Sequence, residues 1–248
     1  MEKLERVQYQ AALAVTGAWQ GSNCSKLYEE LGWENLSDRR KCRRILQIHK
    51  IMNNKAPLYL KNKLPPKRRL FLHNVFRPIR CRTDRYMNSF FPNAIDSWNI
   101  VISHFEDFPS FESLKGHMLS LFRPKTRNIF GVHDPVGLRY LFQLRLGLSP
   151  LRNHKKNHNF ADTPSDICLC TYGVEHTHHF LISCPLYVNQ RATLVNNVND
   201  ILLKNNTPYV ANYMQLLLYG HDSINHNDNM KIILGTLKYI KDSNRFSS

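Results

Sequence analysis

The chain has 248 residues, 42% of them apolar, and an ordinary glycine and proline content, which excludes a low-complexity protein and allows one large or two small domains. Its net charge of +15 sits in one block: residues 39–85 carry sixteen Lys or Arg against one acid, Asp84, while the rest of the chain balances at eighteen of each. No run of about eighteen apolar residues is present to span a bilayer, and neither the six unevenly spaced cysteines nor the charged start MEKLERVQYQ suits a small secreted domain, so a soluble chain of the nucleus or cytoplasm is expected.

In chain order, residues 2–18 predict a helix with Leu4, Val7, Ala11, Leu13 and Val15 at mostly helical spacing, closed by Gly17. Ser25 is expected to cap a short helix, Lys26 to Leu31, that stops at Gly32. The next helix opens at Ser37 and runs to about Asn53. At about 100° per residue, Cys42, Ile45, Leu46, Ile48, His49 and Met52 fall on one half, and Arg39, Arg40, Arg43, Arg44 and Lys50 on the other. A short helix, Leu58 to Lys63, follows Ala56-Pro57. Residues 65–85, with three prolines and the cations Lys67, Arg68, Arg69, Arg80, Arg82 and Arg85, predict an extended basic loop with a short strand near Phe71 to Phe76. Tyr86, Phe90, Phe91, Ile95 and Trp98 have helical spacing and read as core before a base-stacking platform. Pro109-Ser110 starts a helix through Leu121, with Phe111, Leu114, Met118 and Leu121 inward.

The stretch RPKTRNIFGVHDP predicts a boundary, so the expected units are 1–122, containing the basic block, and 134–248. The second opens with a helix, Val136 to Leu148, presenting Leu138, Leu141, Phe142, Arg145 and Leu148. Lys155 and Lys156, with His154 and His158, read as a further basic patch. Helices are expected over Tyr187 to Leu203, Tyr213 to Tyr219 and Met230 to Ile240, which makes the fold class mainly α.

Between these helices lies the one cluster with clear ligand chemistry. Cys168, Cys170, His179 and Cys184 put three thiols and an imidazole within seventeen residues, the donor set that zinc prefers for a structural tetrahedral site. The alternative is that the cysteines are simply small buried apolar residues. His176 and His178 stand close by, and His178 is a second candidate for the imidazole position.

The segments LERVQYQAALAVTG, LYEELGWENLSDRRKCRRILQIHKIMNNKAPLYL and RCRTDRYMNSFFPNAIDSWN, followed by LFQLRLGLSPLRNHKKNHNFADTPSDICLC, HHFLISCPLY and LLLYGHDSINHND, span nearly the whole chain. In this order they resemble the region after the polymerase palm, and then the C-terminal part, of non-LTR (LINE-type, jockey-like) retrotransposon reverse transcriptase polyproteins. The resemblance implies a thumb-like or post-palm helical unit and a C-terminal unit whose Cys-Cys-His-Cys motif maps onto Cys168, Cys170, His179 and Cys184. That motif often has glycine after its second cysteine; here Thr171 stands there and Gly173 follows two later.

The resemblance further implies a non-catalytic fragment, because the palm's metal-binding aspartates and the endonuclease residues have no counterpart. Phe160-Ala161-Asp162 only echoes the polymerase motif, since Thr163 replaces its second aspartate. An RNA- or DNA-binding role with structural zinc is therefore expected, the basic helix and loop gripping phosphates. Docking on a polymerase palm or another acidic partner is the alternative. A membrane partner ranks below both, as no lipidation signal or aromatic amphipathic face adjoins the basic block.

Overall fold

The computed structural model describes residues 2–68, 74–105, 107–122, 131–207 and 210–246. The protein is mainly helical, as its periodicity predicts, and among the described residues only two isolated antiparallel bridges, Lys67 with Phe76 and Ile167 with Val174, break the pattern. The helices are α1 (Glu2–Thr16), α2 (Cys24–Leu31), α3 (Leu36–Met52), α4 (Leu58–Lys61), α5 (Asp84–Met87), α6 (Phe90–Ile102), α7 (Phe111–Phe122), α8 (Pro135–Leu146), α9 (Arg152–Asn157), α10 (Val188–Lys204), α11 (Tyr213–Tyr219) and α12 (His226–Asp242). A π-helical turn, His179–Ser183, and a 3₁₀ turn, Pro185–Tyr187, precede α10.

Two compact units form, Met1–Glu5 with Gly32–Lys125, and Arg6–Leu31 with Thr126–Ser248. The sequence division at 122/134 brackets residues 123–130, outside the described ones, and it placed Arg6–Leu31 with the first unit. Tertiary contacts place that stretch with the second. Arg139 Nη2 donates to Ala14 O at 3.0 Å and Gln143 Nε2 to Gly17 O at 2.7 Å, while Arg145 Nη1 reaches Glu30 Oε2 at 3.2 Å. The face of α1 that packs also differs from expectation. Ala12, Leu13 and Thr16 are buried, whereas Leu4, Val7, Ala11 and Val15 are exposed. Small residues allow close helix approach without registering as hydrophobic, and the Thr16 hydroxyl is satisfied by Ala12 O at 2.8 Å.

In the first unit α3 packs against α6 and α7 around Ile45, Ile48, Ile95, Trp98, Leu114 and Met118, all fully buried. Leu121, expected inward, is about half exposed. His49 is buried among them, with Nε2 3.0 Å from Pro109 O and its ring stacked on Phe108 at 5.0 Å. The amide of Ser37, read as a helix opener, donates to Glu5 Oε1 at 3.1 Å, so a distant carboxylate does the work of a cap on α3.

Of the expected strand near Phe71 to Phe76, the described residues show the bridge at Phe76, while Phe71 to His73 lie outside them. What holds the basic segment is Asn99 of α6. It accepts from Phe76 N at 2.8 Å and donates to Phe76 O at 2.9 Å, replacing a neighbouring strand, while Trp98 Nε1 donates to Asn74 O at 2.9 Å. Tyr86 and Phe90 do not join the core that Ile95 and Trp98 form; both are exposed, on α5 and at the start of α6.

In the second unit α12 packs against α8, α10 and α11. Gly235 permits the approach to α10, since a Cβ there would sit 3.3 Å from Leu194 Cδ1. The α12 N-terminus begins earlier than periodicity suggested because Asn225 Oδ1 accepts from Asp228 N at 2.9 Å. The buried Asp228 carboxylate binds Asn205, Lys231, Asn225 and Lys204, which hold its pKa well below the usual carboxylate range. Asn23, not Ser25, caps α2, with Oδ1 3.1 Å from Lys26 N.

Replacing Asn99 by Leu removes both bonds to Phe76 at once. Urea unfolding of Asn99→Leu is expected to show roughly 1–3 kcal/mol less stability than the parent, with faster proteolysis near residues 74–80; unchanged stability and cleavage would remove Asn99 from this role.

Candidate metal centre

The Ile167–Val174 bridge closes a tight turn in which Cys168 N donates to Gly173 O at 2.8 Å and Thr171 N to Cys168 O at 2.9 Å. Cys168 and Cys170 lie at its base, both buried. The turn has threonine where a glycine would suit it best: Thr171 has φ +65°, in the left-handed region that a β-branched residue rarely enters.

His179 and Cys184 come from the π turn, where Cys184 N donates to His179 O at 2.7 Å. Five residues along an ordinary α-helix would be offset by about 140° around the axis; the widened ring brings the two side chains to one side. The backbone bends at Cys184 to φ −63°, ψ 122°, and Pro185 opens the 3₁₀ turn.

The four ligand atoms lie within 4.8 Å of one another, and all four residues are buried. Cys168 Sγ and Cys184 Sγ are 3.7 Å apart, and Cys170 Sγ is 3.2 Å from His179 Nε2. Two metal–sulfur bonds of zinc length at a tetrahedral angle place sulfurs about 3.8 Å apart, so the cluster fits a tetrahedral metal ion. The reading of the cysteines as mere apolar filler leaves this convergence with the imidazole unexplained. His178 and His176 are exposed and lie outside the cluster; His176 instead accepts from His179 N through Nδ1 at 3.0 Å.

Burial pushes the Cys168 thiol up to about 12, and it raises Cys184 too. Burial also acts on Cys170, but hydrogen bonds from the Tyr172 amide and from the other two thiols outweigh it and bring that thiol below its ordinary value. His179 is pushed down by burial and by His176, which favours the neutral imidazole a metal needs. A cation at the centre would compensate the thiolates that burial otherwise disfavours.

A set of supporting residues escaped sequence reasoning. Arg191 of α10 donates through Nε to Leu181 O at 3.1 Å and through Nη2 to Cys184 O, and the Tyr239 hydroxyl of α12, held protonated by burial, donates to Phe180 O. These carbonyls belong to the π turn and the ligand that follows it. Buried Glu175 accepts from Arg152 N at 2.8 Å and pairs with Arg245 at 2.7 Å, tying the turn to α9 and to the chain's end. Nothing local marks these four residues; they lie 7 to 61 positions beyond Cys184, except Glu175, which sits inside the motif as an ordinary acid.

The cations fall into two sets. Arg39, Arg40, Arg43 and Arg44 share α3, and Lys67, Arg68, Arg80, Arg82 and Arg85 are exposed in the segment beyond it; Arg69 lies outside the described residues. Lys155 and Lys156 belong to the other unit and are spent in ion pairs with Asp162 at 2.8 Å and Asp166 at 3.0 Å. His154 is not part of that patch. It is buried, with Nδ1 2.7 Å from Ser149 Oγ, and burial together with His158 and His176 pushes its pKa down to about 4, so it is neutral.

Comparison with family models, with curated proteins and with solved structures finds no match.

Arg191→Gln keeps a donor but loses the fork across Leu181 and Cys184, and is expected to weaken metal affinity about 10- to 100-fold with the helical content retained; an unchanged affinity in competition with a chromophoric chelator would refute the support role. Thr171→Gly relieves the left-handed threonine and is expected to raise the melting temperature of the metal-loaded protein by an amount equivalent to about 1 kcal/mol; a lower melting temperature would show that the threonine contacts outweigh the strain.

Proposed function

We propose that this chain is a non-catalytic, nucleic-acid-binding part of a retrotransposon reverse transcriptase polyprotein, in which zinc serves as a structural ion. Three thiolates and one imidazole favour zinc over the harder divalent cations, and with all four positions taken by protein no site remains for a substrate.

The observation that carries the nucleic-acid reading is the uncompensated charge on α3. Among the described residues Arg39 has Glu34 at 3.9 Å, but Arg40, Arg43 and Arg44 pair with no carboxylate. Arg40 Nη2 and Arg44 Nε are buried without any hydrogen-bond partner, and burial, reinforced by the charge of Arg40, lowers the pKa of Arg44. Arg40 and Arg44 sit one helical turn apart and repel one another, and beside them Arg43 is exposed to solvent, where an anion can reach it. Phosphate diesters supply such an anion, in a fork geometry that arginine matches. Exposed Lys67, Arg68, Arg80, Arg82 and Arg85 extend the same surface chemistry without base specificity.

A second reading, docking on a polymerase palm or another partner, is favoured by α1, where Leu4 and Val7 are 61% and 65% exposed and Val15 lies further along the same helix at 42%. Self-association of the isolated chain that Leu4→Glu abolishes would support it; a monomer at high concentration would count against it.

For the leading reading, affinity for a short duplex or single strand is measured against salt. The double variant Arg43→Glu, Arg44→Gln is expected to bind more weakly and to flatten the slope of log affinity against log salt by about two. An unchanged slope would reject the α3 surface as a phosphate contact.

A further inference from the structure

Beside the metal centre, wholly within the second unit, lies a cleft of about 530 Å³. Trp19, Phe160 and Leu169 line it together with Arg152, Lys155 and Arg245. Leu148 on its floor belongs to the core, but Leu169 and Phe160 do not. Leu169 is 68% exposed and Phe160 37%, and the Phe160 ring lies against Trp19 with centroids 4.5 Å apart and planes tilted by 51°. His158 meets the same indole edge-on at 4.9 Å. An aromatic surface open to a cleft can receive a flat ligand by stacking.

The charges select which flat ligand. Lys155 is closed off by Asp162 and Arg245 by Glu175. Arg152 has no carboxylate partner among the described residues; its Nε donates to Ser165 O at 3.2 Å, which leaves the rest of the guanidinium uncommitted. The cleft thus offers stacking surface and one unmatched cation, the complement of a nucleotide. Leu169 stands between the ligands Cys168 and Cys170, so its place on the wall depends on the metal shell.

We propose that this cleft binds one unstacked base of a single-stranded nucleic acid, the base against Trp19, Phe160 and Leu169 and its phosphate on Arg152. The inference rests on the nucleic-acid reading above and deepens it, by assigning a preference for single strands to the second unit while α3 of the first unit contacts phosphate regardless of strandedness. A paired base is buried in its duplex and offers no face to the cleft.

The test uses the full metal-loaded chain with labelled twelve-nucleotide oligo(U), oligo(dT) and a duplex of equal length, followed by fluorescence anisotropy and tryptophan emission. Both oligonucleotides are expected to quench emission, and the quench to be lost in Trp19→Phe, Trp33 and Trp98 being the other indoles. Phe160→Ala with Leu169→Ser, both at exposed positions, is expected to lower single-strand affinity about ten-fold or more with the salt slope and duplex affinity unchanged. Arg152→Gln is expected to reduce the slope by about one. Metal stoichiometry and helical content of each variant establish that it is folded. If Phe160→Ala with Leu169→Ser binds single strands as tightly as the parent, the cleft proposal falls and the phosphate-binding reading stands. If the parent binds neither single strands nor duplex, both fall. If oligo(U) alone behaves as expected, the cleft reads RNA.

Discussion

A single hydrogen bond spanning five residues, from the Cys184 amide to the His179 carbonyl, sets the geometry on which the second unit's chemistry depends. It widens one turn of helix, turns His179 and Cys184 to the same side, and leaves neighbouring carbonyls without their regular helical partners. Those carbonyls need donors, and in a buried setting water is not at hand. Arg191 and Tyr239, one from each of two long packed helices, supply them. This half of the candidate metal site is therefore an extension of the α10–α12 packing and not an independent loop.

The cysteine turn obeys a different constraint. Its Ile167–Val174 bridge is too short to be stable alone, and it contains a threonine in a conformation that costs energy. Glu175, directly after the bridge, ties this turn into α9 and the final segment through a buried pair with Arg245. A buried carboxylate and guanidinium hold position only when both are satisfied, so the turn, α9 and the last residues are set together. An ion shared by Cys168, Cys170, His179 and Cys184 would join the two half-sites that these separate devices bring within reach.

Among the described residues, ion pairs are more frequent in the second unit than around the basic block of the first. In the second, Lys155, Lys156, Lys204, Lys231, Lys241 and Arg245 each have an acid within reach. In the first, almost every acid is missing from the region where the cations concentrate, and two guanidinium groups are partly withdrawn from water with atoms unpaired. Desolvating a cation without a partner is unfavourable.

Much of the fold was legible in the order of residues. Helical periodicity located α3, α7, α8, α10, α11 and α12 to within a few positions, and the ligand types and spacing singled out the four residues that converge. Local signals of this kind are written within a turn or two of chain, where backbone geometry translates spacing directly into a shared face. The sequence by itself thus determined the helical class, the concentrated positive charge and the donor set of the candidate metal centre. Tertiary structure alone decided which side of α1 is buried and that residues 6–31 pack with the second unit. It also decided that Lys155 and Lys156 are already paired, and that Arg191, Tyr239, Glu175 and Arg245 hold the site. Each of these depends on partners many residues away, chosen because buried polar groups must find one another across the fold, and no spacing within a segment records that choice.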